Sequence, residues 1–266
     1  MEGVIISKKF VPAYYLTTKE KRRTSKPEMP AGVYMLSDSM QIYHRNQQKI
    51  KMLLLLSDHI PDIKFSQKEK ASFAEAGRIY YRHLDLKRYD MNLFGKNILL
   101  EQAIVTIISN LETYYSSIFR KIMDDWRFLE KMVSNSKNID QFLRKTGLAN
   151  ELHLEFFLNG QKYNGMKFGS YVLDKGSKRR VSFQRKESIQ KFLNIFPDVK
   201  RQIPNGFWAE FTLFAKERHN IVHKLIVSDS TLCNSSRIEN AITIFNLTIE
   251  TIDKGLFEAF PIEVLG

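Results

Sequence analysis

Apolar side chains recur along much of this chain at alternating spacings of four and three, the signature of amphipathic helices packed side by side. The longest series is Ile104, Ile108, Leu111, Tyr115, Ile118 and Ile122, inside a helix predicted over about residues 97–133. A period near 3.5 sustained that long belongs to a helical bundle. Ile238, Ile242, Phe245, Ile249, Ile252 and Leu256 repeat the pattern until Pro261 and predict a last helix beginning near Ser235 or Ser236. Residues 40–57 predict another helix, and Ser66-Gln67-Lys68-Glu69 is a capping box opening a helix through about Lys87. Shorter helices are expected over 138–146, closed by Gly147, and over 186–196, stopped by Pro197. These stripes are core, and the predicted fold class is mainly α.

Two stretches depart from the helical period. Over the first 36 residues, Val4–Ile6 and Phe10–Leu16 alternate with a basic cluster, Lys19 to Lys26, before Pro27 and Pro30. Short strands or an extended arm fit that composition better than helix. Between Asn150 and Ser182, Gly160, Gly165, Gly169 and Gly176 punctuate a run of lysines, arginines and aromatics. A structureless loop of that length is rare inside a compact domain, so the segment forms a β-hairpin or orders on meeting a ligand. The expected organisation is an N-terminal extension of mixed structure over 1–90, then a helical domain over 91–266 with a basic hairpin or loop insertion at about 150–186.

Charge sharpens this picture. The formal net charge is +12, but it is unevenly placed. Residues 1–90 carry 17 Lys/Arg against 10 Asp/Glu, and residues 156–201 carry 11 against 3. Residues 91–155 balance, with 8 of each, and the remainder is acidic. Positive charge segregated in this way suits a polyanion. Lys162, Lys167, Lys178, Arg179 and Arg180, interleaved with Phe156, Phe157, Tyr163, Phe168 and Tyr171, suit single-stranded RNA, where base stacking supplements phosphate contacts. A hairpin whose aromatics pack on the bundle accounts for the same residues.

The chemistry concentrates in Lys216-Glu217-Arg218-His219-Asn220-Ile221-Val222-His223-Lys224. Phe207, Phe211, Phe214, Ile221 and Leu225 trace the apolar seam of the helix that carries it, and position 218 falls on that seam. A guanidinium stays charged at working pH and is costly to bury without a partner. An arginine there, followed by histidines that titrate near neutrality as a residue type, points to a phosphate site. Five residues at about 100° each place Arg218 and His223 about 140° apart on a straight helix. They converge on one phosphate only if the helix ends or kinks near Asn220, or if a second subunit completes the site.

Arg218, followed by four residues and His223, resembles the R-x4-6-H signature of the HEPN superfamily, and the resemblance covers roughly residues 91–260. It implies a HEPN-like helical bundle whose motifs meet at a two-fold dimer interface. The implied activity is metal-independent endoribonuclease action leaving 2′,3′-cyclic phosphate and 5′-hydroxyl ends, within toxin–antitoxin or anti-phage systems. His223 is then general base or acid, and Arg218 stabilises charge on the phosphorane. Asn220 orients the phosphate or caps a broken helix end, and His219 assists. The implied partners are RNA, a second copy of the chain, and an antitoxin or defence protein.

Other chemistries fit less well. His219 and His223 have a spacing that can bind zinc, but no glutamate follows His219 as in H-E-x-x-H and no third ligand is evident, so neither metal nor cofactor is expected. Gly165-Met166-Lys167-Phe168 lacks the Ser or Thr of a P-loop. Met52–Leu56, the longest purely apolar run, is far short of a bilayer span. The N-terminus has no signal-peptide pattern, and the single cysteine, Cys233, suits a reducing compartment, so a cytoplasmic location is expected. Two competing readings are a non-catalytic HEPN-like dimerisation or nucleotide/RNA-binding module, and a basic RNA- or DNA-binding protein with a coincidental motif.

Overall fold

The computed structural model describes residues 37–80, 91–125, 165–173, 181–224 and 234–259, together with 162 and 232. The arm expected over 1–36, the short helix over 138–146 and the Lys178–Arg180 run lie outside these residues. The described elements are α1 (Asp38–His59), a 3-10 turn (Ile60–Asp62), α2 (Gln67–Tyr80), α3 (Met91–Asp124), α4 (Phe168–Leu173), α5 (Lys186–Leu193), α6 (Pro197–Arg201), α7 (Phe207–Lys224) and α8 (Ser235–Ala259). The protein is mainly α, and no strand occurs among the described residues.

α1, α2, α3, α5, α7 and α8 form where helices are expected, whereas α4 and α6 lie where none was. Every residue of the Ile104–Ile122 stripe on α3 and of the Ile238–Leu256 stripe on α8 is buried. At the start of α2 the capping box closes in both directions. Glu69 accepts from the Ser66 amide at 2.7 Å, and the Glu69 amide donates to the Ser66 hydroxyl at 3.3 Å. Hydrogen bonding from the Ser66 side chain and amide holds the Glu69 carboxyl below its ordinary value.

The chain packs as two compact units. The first comprises Met1–Arg45, Leu111–Trp208 and Phe245–Gly266. Its described core is aromatic: Phe119 meets Phe183 at 5.5 Å and Phe192 at 5.4 Å, and Tyr115 stacks on Phe183 at 6.0 Å. α4 joins this core through buried Phe168 and Val172. A Cβ on Gly169 would lie 3.0 Å from the Arg120 backbone, so glycine is what lets α4 approach α3 closely. Within the segment expected as a hairpin or ligand-ordered loop, Phe168–Leu173 is thus a short helix held by packing. Ser170 fastens it, its amide and hydroxyl donating to Asp124 at 3.1 and 2.9 Å.

A buried carboxylate ties three helices of this unit together. Asp253 on α8 accepts from the amide and hydroxyl of Ser37 and from the Tyr114 hydroxyl at 3.2 Å. The Ser37 oxygen in turn accepts from the Met40 amide at 3.0 Å, the N-cap bond of α1. Burial pushes the Asp253 carboxyl above its ordinary value, against the pull of the Ser37 and Tyr114 hydrogen bonds and of the Lys121 charge. The neighbouring Tyr115 hydroxyl is buried without a hydrogen-bond partner among the described residues.

The second unit comprises Asn46–Asn110 and Ala209–Ile244. Ile50 and Leu54 of α1, Leu100, Ile104 and Ile107 of α3, Phe211, Phe214 and Ile221 of α7 and Ile238 of α8 are its buried apolar residues of note. Arg237 joins α8 to α7: its Nη2 donates to both carboxylate oxygens of Glu210 at 2.7 and 2.6 Å, and its guanidinium lies 6.0 Å over the Phe214 ring.

Candidate functional site

α7 carries the motif within the second unit. Phe211 and Phe214 fix its inner face, and the helix continues without a break from Phe207 through Asn220 to Lys224. Of the two ways in which Arg218 and His223 could converge, a helix end near Asn220 is therefore absent.

Burial separates the motif residues. His219 and His223 are both exposed, with ring centroids 4.6 Å apart, so the two imidazoles share one outer face one turn apart. Arg218 is half-buried. Asn220 is 6% exposed, and its amide nitrogen lies 3.4 Å from a carboxylate oxygen of Glu217. The surface of the motif thus belongs to the histidines, with the arginine at their flank and the asparagine turned inward.

Glu217 is the residue that sequence reasoning missed. It is wholly buried, three positions after Phe214 and four before Ile221, and so occupies the seam position that the periodicity suggested for Arg218. The signal was available: steps of three and four both continue the Phe207, Phe211, Phe214 series, and the step of three lands on the glutamate.

Of the basic residues proposed for RNA contact, Lys162 and Lys167 are described and exposed, in the first unit. A second cationic feature, unforeseen in sequence, lies in the second unit. There a cleft of about 620 Å³ is lined by Lys64, Lys70 and Lys96 together with Phe65, Ile63, Pro61 and Asn92. Its volume is in the range of small-molecule sites. Asn92 stiffens one wall, its amide donating to the carbonyls of Ile60, Pro61 and Ile63 at 3.0 Å each. Lys96 also faces Asp58 at 3.8 Å, so one of the three cations is partly neutralised. No group of three or more His, Cys, Asp or Glu side chains is placed to hold a metal ion among the described residues. No described helix is long and apolar enough to cross a membrane.

No protein-family model, no curated protein and no solved structure matches the chain.

Proposed function

We propose that this protein is a HEPN-like, metal-independent endoribonuclease working as a symmetric homodimer. The observation that carries the reading is the state of the Arg-x4-His pair: an unbroken helix, a surface imidazole and a half-buried guanidinium. Cleavage of RNA without a metal needs a base for the 2′-hydroxyl proton and an acid for the departing 5′-oxygen. As the 2′-oxygen bonds to phosphorus, the bond to the 5′-oxygen breaks and that oxygen takes a proton, leaving a 2′,3′-cyclic phosphate and a 5′-hydroxyl. One imidazole cannot readily fill both positions, whereas a two-fold axis beside α7 supplies two. Arg218 of each subunit then offers a planar fork to the phosphorane oxygens. Asn220, being buried, acts through the helix that it helps to pack and not by touching phosphate, and His219 flanks the reacting imidazole. A toxin–antitoxin or anti-phage setting suits such an activity, in a cytoplasm where RNA is the substrate.

The lysine-lined cleft favours a second reading, a nucleotide- or RNA-binding module without catalysis. Expression separates the two: an active ribonuclease arrests growth and His223→Ala relieves the arrest. Growth unaffected by either form supports the binding module.

A further inference from the structure

We infer that His219 and His223 form a two-imidazole chelate for a borderline divalent transition-metal ion, Zn²⁺ or Cu²⁺, at the surface of α7. The ion's effect on activity rests on the ribonuclease reading; its binding does not. Both rings are exposed, they stand one helical turn apart on an unbroken helix, and their centroids are 4.6 Å apart. Two imidazole nitrogens at ~2.0–2.1 Å from a common ion place ring centres roughly 4.5–5 Å apart, so the spacing of the two rings matches that of a chelating pair.

The neighbours decide which ions are admitted. The one nearby carboxylate on α7, Glu217, is wholly buried, and no third protein ligand joins the pair among the described residues. Two nitrogen donors with no oxygen donor discriminate against Mg²⁺ and Ca²⁺, which require carboxylates and carbonyls. They suit the ions whose affinity for imidazole is high, with Cu²⁺ above Zn²⁺. Lys216, Arg218 and Lys224 are the neighbouring cations in the helix sequence, so the site is weaker than a carboxylate-supported one and fills or empties with the supply of metal. Water occupies the remaining coordination positions, or a second copy of the pair does so across a two-fold axis.

Occupancy has a consequence for the proposed chemistry. A metal-bound His223 nitrogen has no lone pair left for a proton, so the ion would inhibit an enzyme that needs none.

Zn²⁺ titrated into the full chain by isothermal calorimetry tests the site, with His219→Ala, His223→Ala and the control His59→Ala. Wild type and His59→Ala should bind alike, and each motif variant should bind at least tenfold more weakly. An event of unchanged affinity in both motif variants, or no binding to wild type, overturns the inference. In parallel, added Zn²⁺ should slow RNA cleavage by wild type. RNA left intact with and without Zn²⁺ would count against the ribonuclease reading, while the calorimetry still decides the metal site.

Discussion

Arg218 and His223 stand five residues apart on one unbroken helix, which sets their side chains about 140° from each other around its axis. Burial agrees with that geometry, since the imidazole is exposed and the guanidinium half-buried. Two groups so arranged act on one phosphate only if a second copy of the helix brings the missing partner.

The first prediction follows from that divergence. Light scattering at micromolar concentration should report a dimer, twice the 31.2 kDa chain mass. Mixing wild type with an excess of His223→Ala chains should suppress its cleavage, because a mixed dimer keeps only one of the two imidazoles at its axis. A monomer, or wild-type cleavage undiminished on mixing, would contradict the composite site.

Arg218→Lys should damage cleavage nearly as much as Arg218→Ala. Lysine keeps the charge and loses the planar fork, and removal of such a contact costs on the order of 10²–10³ in rate. Melting temperatures of the three proteins should differ little, because Glu217 and not Arg218 fills the seam. Activity restored by lysine, with stability lowered by alanine, would make Arg218 a structural residue.

The helical frame was legible in the sequence because it follows from one period. The stripes on α3 and α8 fall where the spacing placed them, and the Ser66–Glu69 box opens α2 as its residues suggest. The inner face of α7 was less legible. After Phe214 two polar residues, Glu217 and Arg218, compete for the next seam position, and nothing local decides between them. α4 was missed because Gly165 and Gly169 interrupt the pattern. Gly165 takes a positive φ of 78°, and Gly169 serves packing, not a turn. The lysine cleft joins residues up to 35 positions apart, from Pro61 to Lys96, which no periodicity reports.

Tyr115 and Tyr114 should respond oppositely to loss of their hydroxyls. The Tyr115 hydroxyl is buried without a hydrogen-bond partner among the described residues, and such a group costs about 1–3 kcal/mol. Tyr115→Phe should therefore raise the melting temperature, by about 2–4 °C for each kcal/mol in chains near this size. Tyr114→Phe removes a hydrogen bond to Asp253 and should lower it. Thermal melts of the two variants check the pair of signs, and a destabilised Tyr115→Phe would mean that the hydroxyl is satisfied in solution.

Two separate groups of cations should contribute to RNA affinity. Replacing Lys178, Arg179 and Arg180 by alanine, or Lys64, Lys70 and Lys96, should flatten the salt dependence of binding by up to about three units of slope for each triple. Cleavage of saturating RNA should persist in both, since none of these residues is assigned to the scissile bond. Filter binding at several salt concentrations gives the slopes, and an unchanged slope assigns that group to packing.

The most direct measurement is cleavage of end-labelled single-stranded RNA by purified protein in excess EDTA, with wild type and His223→Ala side by side. Wild type should cut, its products should carry 2′,3′-cyclic phosphate and 5′-hydroxyl ends, and the variant should leave the RNA intact. RNA that wild type leaves whole, or cleavage undiminished in His223→Ala, would contradict the assignment.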